Sequence, residues 1–339
     1  GGLAELDEEL KKRGSGLVIR RGKPEIELLN LIIETGAQAI YAEEDYTPYA
    51  RARDERISES LPLTLVPGQT VHPPASVLKP DGRPYTVFTP FSKAWKALLP
   101  ASLTPLPAPE HFPPVSLPQS TADLRFSASE SVFPFPSVTE SAFPLSSVVH
   151  FPPGESEAQR RLSAFCSHLP LGEGSGVRAI TNYHETRNRL DLDGTSALSP
   201  YIRFGMISLR QAVEVALNVE QENRATGQPE TGAATWLNEL IWREFYISIL
   251  YHFPHVSQTA FNPALADIPW RDDEADFAAW KEGRTGMPVV DAAMRQLRAT
   301  GWMHNRARMI VASFLVKDLL INWQWGERWF MDNLVDGDP

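Results

Sequence analysis

Trp236-Leu237-Asn238-Glu239-Leu240-Ile241-Trp242-Arg243-Glu244-Phe245-Tyr246 decides how the larger part of this chain is read. At 100° per residue, Trp236, Glu239, Arg243 and Tyr246 share one face with Trp242 at its edge, while Leu237, Ile241 and Phe245 occupy another. The aliphatic stripe can build a core, which leaves two tryptophans, a carboxylate and a guanidinium to line something else. The same spacing also describes a buried amphipathic helix with an ordinary Glu239–Arg243 pair at i,i+4. Taken alone, the segment leaves both readings open.

Outward from it, helical periodicity continues over 155–168, 207–222, 233–252, 274–282, 287–299 and 302–321. Residues 154–339 therefore read as an all-α domain. The first 99 residues read differently. Leu17–Arg21 suits a short strand, Gly22-Lys23-Pro24 a turn into a helix that Gly36 ends after Thr35, and Ala39-Ile40-Tyr41 a second strand. That is one parallel βαβ unit, with a further strand expected over Leu61–Val66. The fold class is thus an α/β N-terminal domain, with an incomplete doubly wound parallel sheet, followed by an all-α domain. Gly1 to Lys12 reads as a helix with no strand before it, so missing N-terminal sequence is expected. Between the two, residues 100–153 are rich in proline and serine and read as a connector.

A chain of 339 residues exceeds what one core usually serves, which supports two domains. The formal net charge of −10 argues against nucleic acid as a partner, although a local cationic strip can focus potential within an acidic protein. Cys166 is the sole cysteine, which rules out an internal disulfide, and no stretch of these residues has the order of a secretory signal or the apolar length to cross a bilayer. A cytoplasmic setting is expected, without a metal site.

Two further clusters carry polar chemistry. In Gly301-Trp302-Met303-His304-Asn305-Arg306-Ala307-Arg308-Met309, a helical wheel puts Trp302, Asn305, Arg306 and Met309 on one face, with Arg308 beside it. Such a set could meet a polar ligand with an apolar body, or could be a core helix with solvated arginines. Tyr183, Arg187 and Gly194-Thr195-Ser196-Ala197-Leu198-Ser199-Pro200 offer hydroxyls and backbone N–H groups that suit a phosphate cradle or ordinary capping.

Several long runs occur in one order: GTSALSPYIRFG, WLNELIWREFY, EGRTGMPVVDAAMRQLRATGWMHNRARMIVASFLVKDLL and the terminal DGDP. In wording and order they resemble the photolyase/cryptochrome family, from about Arg13 onward, with the connector least similar. Within the family the likeness is to the class I branch that splits cyclobutane pyrimidine dimers. The resemblance implies an α/β domain joined to a helical domain that holds FAD. Matched position by position, it implies FAD contacts at Tyr183, Thr195, Ser196, Ala197, Leu198, Ser199, Trp236, Gly337 and Asp338, with an Arg308–Asp336 pair beside the flavin ring. It implies a lesion pocket from Glu239, Trp242, Asn305 and Met309, and DNA contacts from Arg187, Arg243, Tyr246 and Arg306. Trp242 is expected to stack on the extruded thymines.

By the same resemblance, excited reduced FAD donates an electron to the dimer, and Trp270 and Trp323 are the outer members of the chain that reduces the flavin. The inner tryptophan would follow Pro339, so the C-terminal end is expected to be missing as well. Members that repair (6-4) photoproducts tend to carry histidine at the positions of Asn305 and Met309, which implies cyclobutane dimers here. The partner is DNA containing pyrimidine dimers, and a bacterial-type, DNA-associated monomer is expected. An antenna chromophore of folate or deazaflavin type is a further implication, with Asp45 a candidate contact. The competing readings are a cryptochrome that senses blue light without repair and a DNA-binding helical module whose tryptophans are core.

Overall fold

The computed structural model describes residues 2–104, 106–112, 118, 120, 151–166 and 179–339. Most of the expected connector lies outside them; the described parts of 100–120 and 151–153 carry no helix or strand.

In the N-terminal part, α1 (Gly2–Lys12) and α2 (Pro24–Thr35) form where their patterns predict. Gly36 ends α2 at φ 68° and donates its N–H to the Ile32 carbonyl, a left-handed conformation that glycine adopts without a Cβ penalty. The parallel sheet pairs β1 (Ile40–Glu43) with β2 (Leu63–Val66) in the register Ile40↔Leu63, and α3 (Pro48–Ser58) connects them. The βαβ unit is therefore one element later than expected. Leu17–Arg21 is not a strand. Side chains take its N–H groups, Asp7 Oδ1 accepting from Leu17 at 2.9 Å and Ser120 Oγ from Ile19 at 3.1 Å. An extended segment becomes a strand only where a neighbour's backbone supplies the ladder.

The helical part is built on α9 (Thr231–His252), which is apolar on most sides and correspondingly buried. It packs against α4 (Phe88–Ala97), α6 (Tyr183–Thr186) and α8 (Leu209–Thr226). Gly232 permits the close approach: a Cβ there would stand 2.0 Å from the Thr181 carbonyl oxygen. With α5 (Glu155–Cys166) and α7 (Ser199–Arg203), these helices enclose a first core that includes Phe91, Trp95, Phe165, Tyr201, Ile241 and Phe245. A second core, with Trp280, Met294, Leu297, Met303, Val311 and Leu315, joins α10 (Glu274–Glu282), α11 (Pro288–Thr300) and α12 (Asn305–Ser313). The helix expected over 302–321 starts three residues later, at Asn305, and runs on to Asp318. Gly301 at φ 69° caps α11, the His304 imidazole caps α12 by accepting the Arg306 N–H at 3.1 Å, and Phe314–Asp318 widens into a π turn. A further helix, α13 (Trp323–Asn333), follows Asn322, whose side chain accepts the Gln324 N–H.

Glu244 ties the N-terminal part to α9. Its carboxylate is 3% exposed and accepts N–H groups from Val71 and His72 and from the Trp95 indole at 2.6 Å. Burial pushes the carboxyl up from 4.5 to about 7, against the pull of those three donors. The folded state thus holds a proton that the unfolded state has lost between these values, so this contribution to stability falls as pH rises from about 4.5 to about 7. We expect Glu244→Ala to lower stability by about 3 kcal/mol, because it strands three buried donors. Glu244→Gln cannot titrate, and should gain on the wild type by roughly 3 kcal/mol between pH 5 and 8. Urea unfolding of the three proteins at both pH values checks this. A Gln variant that keeps the wild-type slope would assign the titration to another group.

Candidate functional site

A cavity of about 1010 Å³ opens between the two cores, with Trp236 and Leu240 contributed by the first and Met303 and Leu315 by the second. All of the residues expected to contact FAD, the lesion or DNA line it, as does Trp323; Trp270 and Asp45 do not. Trp270 sits on a segment bridged to the α13 approach through Arg271 and Ile321, outside the cavity, whereas Trp323 is on its wall.

One side is a loop. Gly194 lies against α6, with Thr186 Oγ1 donating to the Gly194 carbonyl at 3.2 Å. Thr195, Ser196, Ala197 and Leu198 then line the cavity on the way into α7. Ala197 has φ 47°, a left-handed conformation that disfavours any residue with a Cβ and that persists where the surroundings impose it. Because α7 spans only five residues, its dipole is small. The loop's own N–H and hydroxyl groups are what it offers an anion.

The far wall holds fixed charge. Arg308 Nη2 donates to both oxygens of Asp336, at 3.0 and 2.8 Å, while Nε donates to the Met303 carbonyl at 2.8 Å. The Asp336 side chain is only 2% exposed. Asp338 lies between Arg203 at 3.5 Å and Arg243 at 3.4 Å, and burial still lifts its carboxyl above the usual range. Arg203 also donates to the Gly337 carbonyl at 3.0 Å, so two arginines hold the 336–338 turn against the cavity.

At the mouth, Asn305, Met309 and Tyr246 are exposed. The Glu239–Arg243 pair that i,i+4 spacing suggests does not form. Glu239 instead pairs with Arg187 at 2.7 Å, and Arg243 turns to the Gln69 carbonyl at 2.8 Å and to Asp338. Arg306 donates to the Asn188 side-chain oxygen at 2.7 Å and reaches the Met309 sulfur at 3.5 Å. Trp242 has one face already covered, by Phe88 at 3.6 Å between centroids with 5° between planes. Any base it stacks on must take the other side. Trp302 precedes α12 rather than sharing its face, and its buried Nε1 has no hydrogen-bond partner among the described residues. His304 is buried, and burial followed by the Arg306 and Arg308 charges keeps its imidazole below its ordinary value.

Residues that the sequence reading passed over also line the cavity, among them Arg203, Leu315, Glu327, Phe330 and Met331. The spacing of Trp323, Gly326, Glu327, Phe330 and Leu334 is helical and was the available signal for α13. Asp45, the candidate antenna contact, spends Oδ1 on the Thr47 N–H at 2.9 Å, a turn-capping role. Among the described residues no His, Cys, Asp or Glu cluster could hold a metal ion, and no helix is long and apolar enough to cross a membrane.

A cavity with a fixed arginine–carboxylate pair, an unpartnered buried donor, a loop of hydroxyl-bearing residues and aromatic walls suits a dinucleotide that carries a flat ring, and its volume is at the upper end for cofactor sites. That combination defines a dinucleotide-binding helical protein with an α/β partner domain. Residues 1–110 match the sequence profile described as DNA photolyase, and residues 236–339 that described as FAD binding domain of DNA photolyase. The chain is 38% identical to a deoxyribodipyrimidine photo-lyase of Synechococcus sp., covering 100% of this chain and 67% of the relative. It is 37% identical to that of Thermus thermophilus, covering 98% and 68%. In structure it superposes on a class III photolyase from Agrobacterium tumefaciens with a TM-score of 0.82 at 33% identity, covering 100% of this chain and 66% of that one. A Synechocystis cryptochrome gives 0.77 at 26%, covering 99% and 67%. The chain therefore belongs to the photolyase/cryptochrome family, and its cofactor is FAD. It spans about two thirds of the length of these relatives.

Arg308→Ala and Asp336→Asn should each weaken FAD binding on the order of tenfold, since each breaks a bidentate, largely buried ion pair. Equilibrium titration of the apoprotein, followed by flavin absorbance, measures it. Unchanged affinity in both variants would mean that the pair is purely a fold contact.

Proposed function

We propose that the protein repairs cyclobutane pyrimidine dimers in DNA by light-driven electron transfer. The observation that carries this reading is one cavity with two zones: a buried arginine–carboxylate pair and a loop of hydroxyl-bearing residues inside, and Trp242, Glu239, Asn305 and Met309 at a mouth that opens to solvent. Curated relatives of the chain are named deoxyribodipyrimidine photo-lyase, in agreement with it. Reduced FAD, when bound, supplies the light-absorbing electron donor.

The protein's own groups bind, orient and set the field. Arg308 and Asp336 form a pair with no net charge, so what the inner wall offers is a fixed dipole whose guanidinium end favours an electron-rich ring beside it. At the mouth, extruded pyrimidines would stack on the face of Trp242 that Phe88 leaves, beside the nearly parallel Tyr246 ring, and the Asn305 amide can donate to their carbonyls. Arg187 neutralises Glu239, so negative charge arriving on the lesion does not meet a bare carboxylate. Arg306, facing an amide and a sulfur rather than a carboxylate, keeps its full charge for a DNA phosphate. Arg187 and Arg243, both paired with carboxylates, contribute less than a tally of arginines implies.

Substrate choice follows from what the mouth lacks. Asn305 and Met309 do not titrate near neutrality, and His304, although adjacent in sequence, is buried and caps α12. Splitting a cyclobutane ring needs an electron and no proton relay, whereas reversing a (6-4) adduct moves a hydroxyl or amino group and calls for a general acid. Reduced, FAD-loaded protein under light should repair a thymine-dimer oligonucleotide and leave a (6-4) oligonucleotide unchanged, as read by chromatography of the two in parallel. Efficient (6-4) repair would overturn the assignment. The similarity to a cryptochrome supports a second reading, a blue-light receptor without repair, and repair of neither lesion would favour it.

DNA contact has its own signature. Arg306→Ala should reduce the slope of log affinity against log salt by about one unit. A slope equal to that of the wild type would make Arg306 a solvated helix residue.

A further inference from the structure

We propose that Phe88 is a positioning residue for the lesion site: by stacking on Trp242 it sets the plane of that indole, so that α4 of the N-terminal part takes part in recognising the extruded pyrimidines. This rests on the reading of Trp242 as the base-stacking residue.

The rings of Phe88 and Trp242 overlap almost fully, with centroids 3.6 Å apart and planes 5° from parallel. Two aromatic rings left to themselves favour offset or edge-to-face arrangements with centroids farther apart, because their quadrupoles repel in a full sandwich. The scaffold therefore imposes the arrangement. Along α4, Phe88, Phe91 and Trp95 follow i, i+3, i+7 spacing and lie on one face. Phe91 packs on Phe245 at 5.2 Å, Phe88 meets the same ring edge-on at 5.9 Å, and the Trp95 indole donates to Glu244 at 2.6 Å. Phe91 and Trp95 are fully buried, so α4 cannot slip along α9 without breaking the first core.

Trp242 is also bounded by Phe245 edge-on at 5.6 Å and by Tyr246 at 5.5 Å and 22°. With Phe88 on one face, the indole has little freedom to turn. A side chain immobilised before the ligand arrives loses less entropy on binding, and a flat pyrimidine finds a platform already oriented.

Lesion binding by the FAD-loaded chain tests this, with a thymine-dimer oligonucleotide and wild type, Phe88→Leu, Phe88→Tyr, Trp242→Ala and the Phe88→Leu/Trp242→Ala double variant. Flavin content and unfolding midpoint are recorded for each. Phe88→Leu should weaken lesion binding roughly three- to tenfold with flavin content kept, and Phe88→Tyr should restore it. In the Trp242→Ala background, Phe88→Leu should have no further effect, because the residue acts through the indole. Should the leucine variant lose the fold, Phe88→Met carries the same comparison. Wild-type affinity in Phe88→Leu, or an equal loss in both backgrounds, overturns the proposal while leaving Trp242 as the stacking residue. Wild-type affinity in Trp242→Ala overturns the stacking reading itself, and this inference with it.

Discussion

A carboxylate buried at the junction of the two parts is the interaction on which the arrangement depends. Glu244 is buried, and its oxygens are taken by two backbone N–H groups from the segment after β2 and by the Trp95 indole of α4. A buried acceptor needs such donors with good geometry, and the donors need it equally. The N-terminal part is thereby locked to one stretch of α9. The residues on either side of Glu244 in sequence, Arg243 and Phe245, inherit fixed directions: one toward Gln69 and Asp338, the other into the first core. The cavity wall is formed by other residues of the same helix, among them Trp236, Glu239, Trp242 and Tyr246.

From that constraint the site takes its character. Two cores, each closed in its own right, leave a gap between them, and the gap is where polar side chains can stand without being stranded. Its charges are sorted by depth. The Arg308–Asp336 pair lies inside, its carboxylate almost fully buried, where a fixed ion-pair dipole acts more strongly on a neighbouring ring than it would in water. Arg187 and Arg306 stand nearer the mouth, where screening by salt applies. An acidic protein can in this way present positive charge to a ligand, because the mean charge says little about one rim.

How much of this was legible in the sequence depends on the range of the interaction. Helices α2, α9, α10 and α11 follow from local spacing and from caps such as Gly36, Gly283 and Gly301, all within reach of a few residues. The strand expected over Leu17–Arg21 failed for the opposite reason: a β ladder needs a partner, and here side chains of Asp7 and Ser120 took the N–H groups. The start of α12 was set three residues early because its cap is the His304 side chain, which a hydrophobic period does not show.

By itself the sequence determined which residue types could do chemistry and on which helical face they stand, since a 100° step is a property of the local chain. It could not determine pairing. Glu239 and Arg243, neighbours on one helix, part for Arg187 and Asp338, which are 52 and 95 residues away in sequence. Trp242 takes Phe88 from another part of the protein onto one of its faces. Glu244, which the wheel left on no particular face, became the joint. Tertiary structure decided these, because charge, hydrogen bonding and ring stacking act through space at a few ångströms, and only the folded chain sets those distances.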